Sequence, residues 1–200
     1  MISFTIHNCR VTIGFLFLAI FTAFLLCDTG NTAAIWLLAA AIHESGHLFV
    51  MHLLHADPVE MKFTPFGIDI VKPPQTTQGY GSDALISVAG SGANLICALL
   101  SYLLHSNPVS VFFIANFVLA VFNLLPIEPL DGGQALYSLL CKTYRSDQAL
   151  KIVSIVSFIV VAPLAMVSYL VLFRSCGNYT FLAVSIYLIF LLVFKKGRFE

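Results

Sequence analysis

Residues 32–54 form a run in which nearly every side chain is apolar, yet the run holds His43, Glu44 and His47. Two histidines four residues apart stand one turn above each other on one helix face, so both imidazoles can reach a single tetrahedral zinc ion. Glu44, next to the first histidine, then projects beside the metal, where a carboxylate can take a proton from water. Ionisable groups in hydrocarbon cost several kcal/mol unless they are paired or functional. The run must therefore be a helix that turns these three groups into a bundle. The bland alternative is a helix with stray polar residues. With six histidines in 200 residues, chance gives a His-Glu-x-x-His match with a frequency on the order of a few in a thousand.

The rest of the chain supplies such a bundle. It is 59% hydrophobic and 10% charged, with a mean hydropathy of +0.93, against about a quarter charged residues in a soluble domain. Spans of about 20 apolar residues leave room for about six. The expected fold is an all-α polytopic membrane protein: one transmembrane domain over residues 1–200, with a core at about 32–140. Zero net charge and the lack of a basic run interleaved with aromatics give no support for nucleic-acid binding. Cys9, Cys27, Cys97, Cys141 and Cys176 are scattered without Cys-x-x-Cys spacing and read as free thiols.

In chain order, a retained first span covers residues 11–26 and ends at Asp28-Thr29-Gly30-Asn31, where Asn31 or Thr32 can cap the second. After the second span, residues 59–64 and 67–72 alternate apolar with polar side chains around Pro65-Phe66-Gly67. This pattern predicts a short membrane-associated β-hairpin between helices 2 and 3. A third span, residues 84–104, opens with the small residues Val88-Ala89-Gly90-Ser91-Gly92-Ala93-Asn94, which permit close helix contact. A fourth, residues 109–125, breaks at Pro126 and Pro129. Residues 134–145 read as an amphipathic surface helix, and helices 5 and 6 fall at about 152–194.

With six spans, Arg10, Lys62, Lys72, Lys142, Arg145, Lys151, Lys195, Lys196 and Arg198 share one side, and of the ten basic residues only Arg174 falls on the other. Lys and Arg collect in cytoplasmic loops, so both termini are expected there. His47 and His43 then lie roughly 12 and 18 Å from a cytoplasmic end near His55, in the cytoplasmic half of a multi-pass membrane protein.

A catalytic zinc takes a third protein ligand and keeps one open position. The sequence offers Asp131, Glu128, Glu60, His52 and His55. His52 sits about 140° round the helix from His47, and His55 about 12 Å along its axis. Asp131 follows the proline-broken helix and precedes Gly132-Gly133, as expected where unwound chain lines a polar cavity. Its alternative role is an N-cap for the surface helix.

His43-Glu44-Ser45-Gly46-His47, the small-residue segment ending at Asn94, and Asn123-Leu124-Leu125-Pro126 followed by Leu130-Asp131-Gly132-Gly133 resemble, in this order, the site-2 protease family of intramembrane zinc metalloproteases. The layout is closest to the branch that processes sporulation sigma factors, without its C-terminal regulatory domain or the PDZ domains of the envelope-stress branch. The resemblance implies one Zn2+ held by His43, His47 and Asp131, Glu44 as the catalytic carboxylate, and Asn94 and Asn123 as substrate or oxyanion contacts. Ser91 stands where the family often has proline, as does Glu128. The implied partners are a membrane-protein substrate, the lipid bilayer and an inhibitory or regulatory membrane protein. The competing readings are a metal-ion transporter or sensor using the same ligands, and a silent scaffold; no internal repeat supports the first, and an intact Glu44 argues against the second.

Overall fold

The computed structural model describes residues 1–6, 9–28, 30, 32–64, 67–71, 79–104, 109–174, 186 and 189. The last expected span lies almost wholly outside these residues, as do Asn31 and the Pro65-Phe66 turn. The chain divides into two compact units, Met1–Phe122 and Asn123–Glu200.

The first unit opens with strands β1 (Ile2–Ile6) and β2 (Cys9–Ile13), then helices α1 (Phe15–Cys27) and α2 (Thr32–Leu53). Strands β3 (Glu60–Thr64) and β4 (Gly67–Val71) come next, followed by α3 (Tyr80–Leu104) and α4 (Val111–Asn123). The strands form one sheet in the order β1-β2-β3-β4. β1 and β2 pair antiparallel, as do β3 and β4, while β2 runs parallel to β3 with Arg10 opposite Glu60 and Ile13 opposite Phe63.

This sheet corrects two expectations. The described chain is mostly helical but not all-α, and the first helix begins at Phe15 rather than Val11. Val11, Thr12 and Ile13 are β-branched, lose side-chain freedom in a helix and fit a pleated surface. Here Val11 sits between Phe4 of β1 and Met61 of β3. Gly14, in extended conformation, ends the strand side and precedes α1; its N–H donates to the Phe63 carbonyl at 3.1 Å. The Phe17 ring then packs on Phe63, with centroids 5.6 Å apart, and so holds α1 against the sheet.

The polar groups at both ends of α2 are satisfied locally. At the start, Asp28 accepts from the first turn of the helix, Thr32 among its donors, while Asn31 lies outside the described residues. One carboxylate oxygen accepts the Ala33 N–H at 2.7 Å, and the other accepts the Gly30 N–H and the Thr32 hydroxyl. Desolvation alone would raise the Asp28 pKa, yet these three bonds together hold its carboxyl below the usual carboxylate range. At the end, the Ala56 N–H donates to Met51 O and the His55 N–H to His52 O, with His55 in the left-handed region at φ 54°. That pair of bonds is a Schellman closure, and its apolar contact is present too, since Met51 and Ala56 are buried together with Ile86.

α2 and α3 approach closely because both faces are small. A Cβ added at Gly46 would stand 2.7 Å from Ala89 O and 2.8 Å from Ala93 Cβ. The opposite face of α3 exposes Ile96, Leu99, Leu100 and Leu103, which suits lipid rather than water. Among the described residues, three helices are long and apolar enough to cross a membrane, at Thr32–Leu53, Tyr80–Leu104 and Ser146–Val171. α4 has 13 residues, about 20 Å, which is short of a hydrocarbon core of about 30 Å.

The second unit begins at Asn123, the last residue of α4, and holds residues 124–130, α5 (Asp131–Leu140) and α6 (Ser146–Arg174). The helix break expected at the prolines is present. Between Pro126 and Pro129 the chain turns through Ile127 N–H to Leu125 O at 2.7 Å and Leu130 N–H to Ile127 O at 2.8 Å. α5 starts three residues before the expected Gln134, with Leu130 at the N-cap position. α6 starts at Ser146, where Asp147 in the first turn complements the helix dipole.

Candidate metal centre

His43 and His47 are both buried on the face of α2 that meets α3. His47 Nδ1 lies 2.7 Å from the Ile86 carbonyl of α3. A carbonyl only accepts, so Nδ1 carries the proton and Nε2 presents its lone pair. That lone pair points at His43, with the two Nε2 atoms 3.2 Å apart and the rings nearly perpendicular at 80°. Two nitrogens about 2.05 Å from a tetrahedral zinc stand roughly 3.3 Å apart. The spacing is compatible with two ligands of one metal ion, and also with a hydrogen bond between the rings; the Ile86 carbonyl is the kind of outer partner that fixes a histidine's tautomer.

Gly90 of α3 makes room for this arrangement. A Cβ built there would collide with His47 Nε2 and stand 2.8 Å from the His43 carbonyl. One turn further along α3, Asn94 is fully buried, and its Nδ2 donates to Ala39 O at 3.2 Å. That bond ties α3 to α2 one turn before His43. Asn94 Oδ1 and the neighbouring Ser91 Oγ are buried without a protein partner. Glu44, half-buried, follows His43 directly.

The other acidic and imidazole candidates of the first unit are engaged elsewhere. His52 Nδ1 lies 3.0 Å from the Asp57 carboxylate in an exposed pair. Glu60 pairs with Lys62 at 3.1 Å, and His55 is exposed in the turn that ends α2.

In the second unit, Asp131 is the first residue of α5 and half-buried; the N-cap position belongs to Leu130, which makes no side-chain cap. Its alternative reading as the N-cap therefore gives way. Gly132 and Gly133 are needed here because the preceding segment lies across them: added Cβ atoms would collide with the backbone of Leu124 and Leu125 and with that of Ile127. Glu128 turns to α6, where the Ser154 hydroxyl donates to its Oε2 at 2.9 Å. Asn123 closes α4, half-buried. His43 and His47 of the first unit and Asp131 of the second each offer a ligand atom of the kind a metal ion takes.

Sequence reasoning singled out the histidines, Glu44 and the small-residue segment of α3, and the structure packs the two histidines against that segment. It missed the Ile86 carbonyl, a backbone atom with no side-chain signal, and it did not single out Gly90 within the small-residue run. Nor did it foresee the serines of α6 that meet Glu128.

Compared with known proteins, residues 103–167 match peptidase family M50, a stretch that includes Asn123 and Asp131 but not the two histidines. No curated protein matches the chain. Among solved structures, the chain is similar to the Site-2 Protease from Methanocaldococcus jannaschii, with a TM-score of 0.67 and 19% identity over 96% of this chain and 93% of that one. The resemblance to the site-2 protease family seen in the sequence is thus matched both by a family pattern and by the fold.

Proposed function

We propose that this chain is an intramembrane zinc metalloprotease that hydrolyses a peptide bond within or near the transmembrane segment of a membrane-protein substrate. The observation that carries the reading is the 3.2 Å approach of His43 Nε2 and His47 Nε2, with His47 held in the ligating tautomer by Ile86 O. In the absence of a metal His43 Nε2–H can donate to His47 Nε2 across this distance, and a cation that replaces that proton would find both nitrogens already turned to one point. The donor set of two imidazoles and one carboxylate suits zinc and leaves one position open, with Asp131 as the third ligand. When bound, zinc lowers the pKa of a water and polarises the scissile carbonyl.

The protein's own groups do the rest. Glu44, one residue from His43, accepts the proton of the attacking water and later delivers it to the leaving amine. Asn123, at the end of α4, donates to substrate or to the developing oxyanion. Asn94 uses one amide N–H on Ala39 O, so it positions α2 and α3 first and offers its Oδ1 to a substrate N–H second. β4 ends the sheet order, and an unwound substrate segment can add along it as a further strand.

We read the protein as multi-pass in a bacterial cell membrane, with both termini and the site toward the cytoplasm. The distribution of basic residues supports this, and so does the pairing of β2 with β3, which puts Arg10 and Lys62 in one sheet. The substrate class suggested by the layout is a membrane-associated regulator such as a sigma or anti-sigma factor, under the control of an inhibitory membrane partner. Glu44→Gln tests the core of the proposal. The variant is expected to bind zinc with wild-type stoichiometry and to cleave a co-expressed membrane substrate at least about 100-fold more slowly. Undiminished turnover with zinc bound would remove Glu44 from its role.

A further inference from the structure

The second unit contains a chain of contacts that the proposed reaction does not itself use, running from α6 to the first turn of α5. Ser157 of α6 is fully buried. Its hydroxyl donates to Val153 O at 2.8 Å and accepts the Glu128 N–H at 2.8 Å, so both its bonding capacities are used within a buried site. Three residues earlier, Ser154 donates to the Glu128 carboxylate. Glu128 is therefore gripped twice, by its backbone and by its side chain, from consecutive turns of one helix.

What Glu128 does is transmitted to Asp131 through rigid links. Ile127, its neighbour, is fully buried, and its carbonyl accepts the Leu130 N–H at 2.8 Å. The same carbonyl group lies against Gly133, where no Cβ could fit. Leu130 in turn is the N-cap residue of α5, and its carbonyl accepts the Gln134 N–H at 3.1 Å. A shift of Glu128 away from α6 cannot be absorbed at Ile127 or Leu130, because one is sealed in the core and the other begins a helix. It must move the residue between Leu130 and Gly132, which is Asp131.

We propose that Ser157 and Ser154 are positioning residues for Asp131: together they latch residues 127–130 to α6 and so set where the Asp131 carboxylate stands. The proposal rests on the reading of Asp131 as a metal ligand. Outer groups that orient a ligand typically contribute 10–100-fold to metal affinity.

The test is a cycle of zinc dissociation constants, measured by chelator competition on the full-length protein in detergent. Asp131→Ala is expected to weaken zinc strongly, Ser157→Ala to weaken it about 10–100-fold, and Ser157→Thr, which keeps the hydroxyl, to restore it. In the Asp131→Ala background, Ser157→Ala is expected to have no further effect, since the latch acts only through Asp131. Equal losses in both backgrounds would show a general packing defect and overturn the proposal, as would wild-type affinity in Ser157→Ala. If Asp131→Ala leaves zinc affinity unchanged, it is the ligand assignment that fails, and the latch with it. Should Ser157→Ala not fold, Ser154→Ala on the exposed side of the latch gives the same comparison with a smaller shift of the same sign, and its absence overturns the idea.

Discussion

A methyl group placed on Gly90 would occupy the space beside His47 Nε2, so the absence of a side chain at one position of α3 is as much part of the candidate centre as the imidazoles. Gly90→Ala is expected to cost about 1–3 kcal/mol of stability from overpacking and to weaken zinc binding more than Gly92→Ala, where a Cβ meets nothing within 4 Å; thermal melts with and without a chelator separate the two effects. Equal zinc affinity in both variants would deny Gly90 this role. His55 is the converse case, a side chain where its absence suits the backbone. It holds a left-handed φ of 54° at the end of α2, a conformation that favours glycine. His55→Gly should raise stability by about 1 kcal/mol, read as a higher melting temperature, and it should leave zinc binding unchanged because His55 is exposed. Sequence alone exposes such positions unevenly. His43, Glu44 and His47 stand out because their polarity contradicts the apolar run around them. Gly90 is one small residue among several, and the Ile86 carbonyl has no letter of its own.

Among the elements, α2 was the most legible, because an apolar run of its length has few other fates. Its expected end at residue 54 and observed end at Leu53 nearly agree, since the chain that follows cannot continue the apolar period. The junction of β2 and α1 was not legible: Val11 and Ile13 continue the apolar run of α1, and their β-branching decides for strand only once they pair with strands before and after them in sequence. The start of α2 also depends on a residue outside it. Asp28 reaches back to Ala33, Thr32 and Gly30, and its folded pKa lies below the ordinary 3.8. A depressed carboxylate pKa contributes stability that is fully present above the unfolded value and is lost as pH falls through the folded one. The melting temperature of wild type should therefore exceed that of Asp28→Asn near neutrality, and the gap should close as pH drops below about 4. A gap that stays constant down to acid pH would exclude the ionised cap as its source.

For the molecule as a whole, the pairing of β2 with β3 puts Arg10 and Lys62 in one sheet, which the proposed orientation places on the cytoplasmic side. Single cysteines placed at Arg10 and Lys62, in a background with the native thiols replaced, should both react with a membrane-impermeant maleimide only after the cytoplasmic face is opened, whereas one at Thr29 should react from outside. Opposite labelling of the first two would contradict the β2–β3 pairing as well as the orientation. The residues proposed as ligands differ in how readily they can be recognised. The family match falls on residues 103–167, around Asp131, while the histidine motif declares itself by its own chemistry in α2. The parallel register of β2 on β3 also bears on how the protein is made. Arg10 faces Glu60, so the N-terminal strands leave the ribosome about 50 residues ahead of the strand they need, with α1 and α2 emerging in between. Closure of the sheet is thus a late event in synthesis, and until β3 arrives the β2 border that it will cover stands unpaired, open to any chaperone or neighbouring chain that can supply a temporary strand.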